Sequence, residues 1–451
     1  MTNSICINKN IKNYNKVIYV SSDKSISIRW ALIASQAIGT SKATNLLISE
    51  DVLSTLSCLK KLGIKVILNR KQNKCKIVGN GINGFNYKKK IILNAKNSGT
   101  LARLICGLLV KSKNSIKIIG DKSLSRRDFS RVIKPLSQFG VNFYPKTKKN
   151  LPIKIKGTNF LRPIQFVEKK GSAQVKSLII LAGMIAPGTT TIYAKKSRNH
   201  TENFLKYLKV PINVSKKKHY DIIKISQTDR INPINYKIPG DISSAAFFIV
   251  LTILSKNSKL LIKDVLTNPT RIGIIKILNK MGAKIILKNK RSYKGEMIAD
   301  IFVKSCKLLN GINCPKKYNT SAIDEFLIIF LVAAKAKGCS HFKGLSELNK
   351  KESPRLEMAS KILKMMGVKV FKNKDSIKIY GNPNLKLIND YEIKNFYKDH
   401  RVFMMSVIAG LCFGGNWKIH DKDSIKTSFP KFINLTKVLG AKYCWFTKLK
   451  I

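Results

Sequence analysis

Residues 49–68 read SEDVLSTLSCLKKLGIKVIL, and this stretch contains the unit that recurs along the chain. Its apolar residues follow helical spacing from Val52 to Leu59, which predicts an amphipathic helix. Ser49 is expected to cap the start of the helix, and Gly63 is expected to end it in the left-handed conformation. The residues after Gly63 are rich in Ile and Val, which predicts a β-strand. The stretch is therefore a helix–glycine–strand unit.

Five more segments repeat this unit, at intervals of roughly 75 residues. One of them, RNHTENFLKYLKVPINV, has no glycine, and its helix is expected to end near Lys209. The other four are expected to end their helices at Gly140, Gly282, Gly367 and Gly440.

A second kind of helix is predicted between successive units. These helices are apolar on most sides, as buried helices are. They are expected at residues 25–38, 100–110, 173–185, 243–254, 322–334 and 402–412. Strands rich in Ile and Val separate them, for example at residues 116–119, 222–225 and 377–380. The pattern predicts a mixed α/β protein in which three units share one core and the first three end near the turn Ile238-Pro239-Gly240.

Composition limits the class of protein. The 451 residues include 85 Lys+Arg and 24 Asp+Glu, a formal net charge of +61, but 44% are hydrophobic, which excludes a disordered basic tail protein. The lysines are spread through the chain together with many Ile and Asn, so A+T-rich coding explains the excess better than nucleic-acid binding, which needs clustered charge. A basic nucleic-acid-binding protein stays open as an alternative, favoured if the lysines line one continuous face.

Cysteine and terminal patterns predict a reduced intracellular protein. The nine Cys are scattered singly with no C-x-x-C, and the five His have no metal-ligand spacing, so we expect reduced thiols and no metal. No apolar run reaches the roughly 20 residues of a spanning helix, and the start MTNSICINKN lacks the apolar core of a signal peptide. We therefore expect a cytoplasmic protein with no membrane partner.

Polar motifs open the second set of helices. They include SSDKSISIRWAL, AKNSGTLARL and KGSAQVKSLI in the first half, and AIDEFL, KKESPRL and KDHRVFM in the second. Helix N-termini and arginine side chains both favour phosphate and carboxylate groups. Asp324 and Glu325 are expected to begin an apolar helix among apolar neighbours. Six such helix entries together predict a site for a small molecule with several negative charges.

The order of these motifs resembles the 5-enolpyruvylshikimate-3-phosphate synthase family over residues 16–443. The motifs are SDKSISIR, NSGT, GDKSLSRR, GSAQVKS, SRNHTE, PGDISSAAFF, NPTRIGI, AIDEF, KKESPR, DHR and TSFP. The resemblance implies an inside-out α/β barrel of the enolpyruvyl transferase type, with two pseudo-symmetric domains of three repeated units. The N-terminal domain would comprise residues 21–239, and the C-terminal domain residues 1–20 and 240–451. The active site would lie in the cleft between the domains.

The resemblance also implies a reaction. The enolpyruvyl group of phosphoenolpyruvate would pass to the 5-hydroxyl of shikimate 3-phosphate, with release of phosphate through a tetrahedral intermediate. The small-molecule substrates would be the partners, no cofactor would be needed, and the enzyme would be a monomer that binds no nucleic acid.

Site residues carry over from the family motif by motif. Asp324 resembles the acid that takes the proton of the hydroxyl, Glu352 the group that protonates the methylene carbon, and Lys24 the lysine between the two substrates. The residues implied for shikimate 3-phosphate are Lys24, Ser25, Arg29, Ser172, Ala173, Gln174, Asp324 and Lys351, with Ser197 and Arg198 as weaker matches. The residues implied for phosphoenolpyruvate are Lys24, Gly99, Arg127, Gln174, Arg355 and Arg401.

The chain departs from the family pattern at several motif positions. Lys96 stands where the family usually has Gly, and Asp128, beside Arg127, stands where it has Pro, so these two residues could lower activity. Asn349 and Pro354 replace an Arg and an Asp, and Pro354 is compatible with a first helical turn. The family lysine before the T-F-P motif has Lys426 as its possible substitute.

Two further alternatives remain at this point. UDP-N-acetylglucosamine enolpyruvyl transferase would share the fold, although its S-G-A-K-N motif and loop cysteine are not apparent here. A non-catalytic remnant of the family is the other, given Lys96 and Asp128.

Overall fold

The computed structural model describes residues 4–88, 90–145 and 149–445, and the backbone alone at Trp445. The strands are β1 (Ile5–Ile7), β2 (Asn15–Ile18), β3 (Ile38–Thr44), β4 (Lys65–Asn69), β5 (Lys74–Asn80), β6 (Ile91–Asn94), β7 (Ile116–Ile119), β8 (Asn142–Tyr144), β9 (Ile153–Lys156), β10 (Gln165–Glu168), β11 (Thr189–Lys195), β12 (Ile212–Lys216), β13 (Tyr220–Ser226), β14 (Asn235–Lys237), β15 (Lys259–Leu266), β16 (Ile285–Tyr293), β17 (Glu296–Lys304), β18 (Gly338–Phe342), β19 (Val370–Lys372), β20 (Ile377–Gly381), β21 (Leu387–Ile393), β22 (Gly414–Ile419) and β23 (Cys444–Trp445). The helices are α1 (Lys24–Ala34), α2 (Glu50–Lys61), α3 (Gly99–Leu108), α4 (Lys122–Ser125), α5 (Ser130–Gln138), α6 (Ala173–Gly183), α7 (His200–Tyr207), α8 (Ile242–Leu254), α9 (Gly273–Lys280), α10 (Asn319–Ala322), α11 (Phe326–Lys335), α12 (Arg355–Met365), α13 (His400–Phe413) and α14 (Phe432–Val438). Short 3₁₀ helices occupy Lys316–Tyr318, Ser346–Lys350 and Lys422–Thr427.

The chain divides into two units. The N-terminal unit comprises Ser22–Pro239 and Ser292–Glu296, and the C-terminal unit comprises the residues up to 21, Gly240–Arg291, and those from 297 onwards. The segment 292–296 contains the end of β16, the turn that follows and the first residue of β17, and it belongs to the N-terminal unit.

Sheets in the N-terminal unit repeat one topology. Their strand orders are β14-β3-β5-β4, β6-β7-β9-β8 and β10-β11-β13-β12. In each sheet the first two strands are parallel and the next two pairs are antiparallel. The C-terminal unit contains the sheets β16-β17-β15-β2, β18-β20-β19 and β21-β22-β1-β23. The prediction of a mixed α/β protein with repeated α/β units is confirmed.

Apolar helices form the centre of each unit. In the C-terminal unit α8, α11 and α13 contact one another, and every residue of α8 and α13 is buried. In the N-terminal unit α3 packs against both α1 and α6. Because these helices are covered on most sides, apolar residues occur around most of each helix. The apolar sequences of the predicted segments indicated such burial. None of the helices in the described parts of the chain is both long and apolar enough to cross a bilayer.

Left-handed residues end the helices of the repeated unit, as predicted. Gly63, Gly140 and Gly282 have φ values of +84°, +98° and +98°, and Gly367 and Gly440 have +74° and +104°. In the glycine-free copy Lys209 takes the same conformation, with φ +59°. The same backbone geometry is therefore kept where the glycine is missing, at the steric cost that a Cβ atom adds.

Some predicted boundaries are wrong. The helix expected at 25–38 ends at Ala34, because Ile38 already begins β3. The helix expected at 322–334 is interrupted, since α10 ends at Ala322 and α11 begins at Phe326. Ser49 stands at the N-cap position of α2, but its hydroxyl makes no capping hydrogen bond.

Candidate active site

The N-terminal unit places the first predicted residues at the start of α1. Asp23 caps this helix, and its carboxylate accepts a hydrogen bond from the backbone N–H of Ile26 at 2.8 Å. Lys24 and Ser25 follow in the first turn. The Lys24 ammonium lies 2.8 Å from Asp51 Oδ2, and its side chain is 21% exposed. Lys24 is thus held by a carboxylate of α2 while part of its side chain stays accessible.

Arg29 is buried, with a guanidinium held by hydroxyl groups. Its Nε donates to Thr201 Oγ1 at 2.9 Å, and its Nη2 donates to Ser177 Oγ at 3.1 Å. Its Nη1 lies 3.3 Å from Ser25 Oγ. Thr201 in turn donates to Ser177 at 2.7 Å, so α1, α6 and α7 meet at this guanidinium. A fixed fork of N–H donors suits a phosphate or carboxylate ligand.

A buried ion pair and a buried hydrogen bond flank this network. Lys176 Nζ lies 2.6 Å from Glu202 Oε1 and joins α6 to α7, with both side chains buried. His200 Nδ1 lies 2.8 Å from Glu296 Oε1, and both of these side chains are 0% exposed. Since His200 and Glu202 are the direct neighbours of Thr201, these two contacts fix the turn of α7 that carries the threonine.

The start of α6 is joined to α3 through Gln174. Ser172 caps α6, and its hydroxyl accepts a backbone hydrogen bond from the first turn, which begins at Ala173. Gln174 Oε1 accepts from Arg103 Nη1 at 3.0 Å, and its Nε2 donates to Thr100 Oγ1 at 3.0 Å. Arg103 was not among the predicted site residues, although it stands one turn after the N-S-G-T motif.

Gly99 gives two arginines room at the start of α3. A Cβ atom at this position would lie 2.6 Å from Arg103 Nη1 and 3.0 Å from Arg127 Nη1. Arg127 Nη2 donates to Asn97 Oδ1 at 2.9 Å, and Asn97 donates to Asp121 at 2.7 Å. The structure therefore brings Gly99, Arg127 and Gln174 into one region of the N-terminal unit.

Lys96 and Asp128 both have local explanations. Lys96 has φ +48°, a left-handed conformation that favours glycine. The lysine therefore adopts a backbone conformation that suits the glycine usual in the family. Asp128 accepts a hydrogen bond from the backbone of Ser130 at 2.8 Å. Burial acts to raise the pKa of Asp128, but the hydrogen bonds from Ser130 and the charges of Arg131 and Lys170 outweigh it, and the pKa lies below its usual value.

Asp324 lies in the C-terminal unit, in the turn between α10 and α11. The apolar helix that Asp324 and Glu325 were expected to begin starts at Phe326, with Glu325 at its N-cap position and Asp324 directly before this N-cap. The Asp324 carboxylate Oδ1 lies 3.2 Å from Lys351 Nζ and 3.5 Å from Arg355 Nη1. Arg401 Nη1 donates to its backbone oxygen at 2.7 Å, so cations surround the residue on both its side chain and its main chain. The side chain is 14% exposed, which leaves the carboxylate within reach of a ligand.

Arg355 connects the acids of this unit. Its Nε donates to Asp399 Oδ2 at 2.9 Å, and its Nη2 donates to Glu352. Burial would lower the pKa of Arg355, but Asp399 and Glu352 outweigh it and raise the pKa above its usual value. Asp399 is fully buried and also accepts from Ser353 Oγ at 2.8 Å and from the backbone of Arg401 at 3.0 Å. Asp399 therefore contacts both predicted arginines of this unit, the side chain of Arg355 and the backbone of Arg401, a role that was not predicted.

Two departures from the family pattern lie at the start of α12. Asn349 Oδ1 accepts a hydrogen bond from the backbone N–H of Leu356 at 3.2 Å, so it supports the first turn of the helix. Pro354 was expected in the first turn of the helix, but it stands at the N-cap position, and the helix begins at Arg355.

Lys426 pairs with a residue outside the cluster of Asp324, Lys351, Glu352 and Arg355. Its side chain is 57% exposed and its ammonium lies 3.0 Å from Asp423. Nothing in these contacts joins it to Asp324 or Arg355, so its role as a substitute lysine stays a prediction.

Metal-binding clusters are not apparent in the described parts of the chain, where no three or more His, Cys, Asp or Glu side chains are grouped to hold an ion. Beside the carboxylates of Asp324 and Glu352, the groups of the candidate site are cations, hydroxyls and amides. That chemistry suits anionic organic substrates.

The fold is that of the enolpyruvyl transferases. The enolpyruvyl transferase NikO from Streptomyces tendae matches it with a TM-score of 0.76 over 100% of both chains, at 12% sequence identity.

The chain belongs to the EPSP synthase family: the family model, EPSP synthase (3-phosphoshikimate 1-carboxyvinyltransferase), matches residues 8–435. The 3-phosphoshikimate 1-carboxyvinyltransferase of Ruthia magnifica is 39% identical over 423 residues, which cover 93% of this chain and 94% of that protein. The corresponding protein of Petrotoga mobilis is 38% identical over 94% and 96% of the two chains. The EPSP synthase of Acinetobacter baumannii matches the structure with a TM-score of 0.86 at 33% identity, over 99% of this chain and 100% of that one. The family predicted from the motifs is confirmed, and the protein is a transferase.

Proposed function

We propose that this chain transfers the enolpyruvyl group of phosphoenolpyruvate to the 5-hydroxyl of shikimate 3-phosphate and releases phosphate. The observation that carries the proposal is the cluster of Asp324, Lys351, Glu352 and Arg355 in the C-terminal unit. It combines two accessible carboxylates with two cations, and the chemistry of enolpyruvyl transfer needs this combination.

Asp324 and Glu352 would perform the proton transfers. Adding an alcohol across an enol phosphate requires a base for the hydroxyl and an acid for the methylene carbon. Asp324 would take the proton of the 5-hydroxyl as its oxygen attacks the enol carbon, while Glu352 would protonate the methylene carbon. Lys351 Nζ lies 3.2 Å from Asp324 Oδ1, so an ion pair holds the carboxylate of the proposed base in position. Loss of phosphate and of one methyl proton from the tetrahedral intermediate would then restore the double bond.

Arginine side chains would bind the anionic groups of phosphoenolpyruvate. Arg127, Arg355 and Arg401 would hold the carboxylate and phosphate of phosphoenolpyruvate, where fixed donors stabilise the charge that develops on the leaving group. Gly99, Gln174 and Lys24 would complete this set. Because Arg355 is buried and bonded to Asp399, its guanidinium is already oriented before substrate arrives.

Shikimate 3-phosphate would be bound chiefly by the N-terminal unit. Arg29 and Ser25 lie together at α1, and Ser172 and Gln174 lie at the start of α6. Ser197 adds support, because its hydroxyl is buried and has no hydrogen-bond partner among the described residues. A buried hydroxyl of this kind favours a ligand that supplies the missing partner. Ala173 and Lys351 complete the set proposed for this substrate.

The test is a coupled assay of phosphate release from shikimate 3-phosphate and phosphoenolpyruvate. Wild type is expected to release phosphate, and Asp324→Asn and Glu352→Gln are each expected to lower kcat by roughly 100-fold or more. Glu357→Gln is the matched control, since Glu357 lies on α12 with a side chain 37% exposed and pairs with Lys372. Phosphate release that is absent in wild type, or undiminished in both site variants, would refute the proposal.

The same assay separates the related activity. With UDP-N-acetylglucosamine in place of shikimate 3-phosphate, we expect no phosphate release above background. Release with the nucleotide sugar alone would favour that transferase instead.

We also propose that the enzyme works as a cytoplasmic monomer without nucleic acid. The spread of lysines through the sequence supports the absence of a nucleic-acid partner, since counterion release requires clustered charge. Size-exclusion chromatography with light scattering is expected to give the monomer mass. A labelled DNA duplex at physiological salt is expected to leave turnover unchanged, and inhibition by the duplex at that salt would count against the proposal.

A further inference from the structure

Two cysteines face each other across neighbouring strands of the C-terminal unit. In the antiparallel pair β1–β23, Cys6 lies directly opposite Cys444. Residues opposite one another in an antiparallel pair have Cα atoms roughly 4.5–5.5 Å apart. A disulfide needs a separation of roughly 4.4–6.8 Å. The strand register alone therefore brings the two thiols within the range of a covalent bond.

Both thiols lie on the outer face of the sheet. Ile5 and Ile7, the neighbours of Cys6, are buried, so Cys6 points to the opposite side and is itself only partly buried. Cys444 is exposed. An oxidant in solution can therefore reach Cys444 first, and Cys6 second, without unfolding the sheet.

A row of charged residues continues from this pair across the sheet. Lys418 on β22 lies opposite Cys6, and Glu392 on β21 lies opposite Lys418, with its Oε1 3.6 Å from Lys418 Nζ. Burial and the nearby Cys444 raise the pKa of Cys6, and Lys418 acts against them. The raised pKa makes Cys6 the slower nucleophile, so the exposed Cys444 is placed to react first.

We propose that Cys6 and Cys444 form a redox-sensitive dithiol, a modification site that low-molecular-weight disulfides convert into a cross-strand disulfide. The Cys444 thiolate attacks one sulfur of the small disulfide, the S–S bond breaks, and one small thiolate leaves. The Cys6 thiolate then attacks the Cys444 sulfur of this mixed disulfide and displaces the second small thiol. The two protein thiols lose two electrons and two protons, and the small disulfide gains both and becomes two thiols.

The bond would connect β1 to β23, strands from opposite ends of the described sequence. Closing so long a loop restricts the unfolded chain, which raises the stability of the oxidised form. Neither cysteine belongs to the residues proposed for catalysis, so turnover is expected to stay the same in both redox states.

The test treats the full-length reduced enzyme with oxidised glutathione, followed by alkylation and peptide mass spectrometry. We expect a linked pair of peptides that contain Cys6 and Cys444, restored to free thiols by dithiothreitol. Cys339 is the internal control, because it is also exposed but lies opposite Tyr380 on β20. It is expected to carry glutathione and not to form an internal bond.

The variant Cys6→Ser separates the proposal from general thiol reactivity. In this variant Cys444 is expected to retain glutathione as a mixed disulfide, and the rise in melting temperature on oxidation should disappear. If wild-type Cys444 keeps glutathione while Cys6 stays reduced, or if neither thiol reacts when Cys339 does, the proposal is overturned.

Discussion

Replacing Asp399 by asparagine removes the negative charge that holds Arg355. The carboxylate is fully buried, and it accepts hydrogen bonds from Arg355 Nε at 2.9 Å, Ser353 Oγ at 2.8 Å and the backbone of Arg401 at 3.0 Å. Asparagine keeps the shape but turns one acceptor oxygen into a donor that faces other donors. Arg355 would lose its largest opposing charge and be drawn towards Glu352 and Asp324, the residues proposed for proton transfer.

The size of the effect follows from burial. Breaking a buried ion pair by removing one partner costs about 3–5 kcal/mol. For domains of 150–250 residues this corresponds to a fall in melting temperature of roughly 6–20 °C. Misplacing a substrate-binding group by about 1 Å can lower the rate by roughly 100-fold. We therefore expect a loss of both stability and activity, with the KM for phosphoenolpyruvate raised more than that for shikimate 3-phosphate.

The stability loss should depend on pH. Burial would raise the pKa of Asp399, but the Arg355 charge outweighs it and holds this pKa below its usual value. A lowered folded-state pKa gives stability that is present above the unfolded pKa of about 3.9 and is lost as pH falls below it. The difference in melting temperature between wild type and Asp399→Asn should therefore be constant near neutral pH and shrink below about pH 4.

Calorimetry and steady-state kinetics test this prediction together. Glu357→Gln again serves as the control, because its exposed ion pair with Lys372 is worth about 0–1 kcal/mol. A melting temperature and a KM for phosphoenolpyruvate that both equal the wild-type values would refute the reasoning. So would a difference in stability that grows as the solution is acidified.

Three other substitutions test individual contacts. Thr201→Val removes the oxygen that accepts a hydrogen bond from Arg29 Nε at 2.9 Å. The loss of about 1–3 kcal/mol of binding free energy should raise the KM for shikimate 3-phosphate roughly 5- to 150-fold and affect kcat less. A fall in kcat with an unchanged KM would contradict this prediction. Gly99→Ala, whose Cβ would lie 2.6 Å from Arg103 Nη1 and 3.0 Å from Arg127 Nη1, should displace these arginines and raise the KM for phosphoenolpyruvate; an unchanged KM would count against this contact. Lys96→Gly relieves a residue at φ +48° and should raise stability by about 1 kcal/mol in calorimetry, whereas a lower melting temperature would show that the lysine stabilises the turn.

Local signals were enough to predict most of the fold. The helix–glycine–strand pattern identified the repeated unit because a left-handed helix end is a purely local requirement, and Lys209 shows that the requirement persists without glycine. The break at residues 323–325 was not predicted, because Ala322 and Ile323 were read as the apolar start of the helix that follows. Long-range contacts accompany the break: Arg401 donates to the backbone of Asp324, and Ser243 donates to Glu325.

Some residues of the candidate site were predicted from the sequence and others were not, again because some contacts are long-range. Arg355 and Arg127 stand in motifs whose charge already indicates an anionic ligand. Asp399, Thr201 and Ser177 were missed as site residues, although all three lie inside quoted motifs. A hydroxyl or a capping carboxylate has many uses, and only the distances to an arginine from another part of the chain reveal the one that applies here.

Buried and exposed positive charges place different demands on the sequence. The chain has 85 Lys+Arg residues, yet the buried cations of the described residues are Arg29, Lys176, Arg271, Arg355 and Arg401. Each of the five has a nitrogen within 2.9 Å of an oxygen. Removing a charge from water costs several kcal/mol unless such partners are supplied, so each buried cation must be matched by residues elsewhere in the sequence. An exposed lysine needs no partner, and coding bias can therefore add lysines to the surface at little cost. The net charge of +61 is thus compatible with a site whose recognition of two anions depends on a few positioned cations.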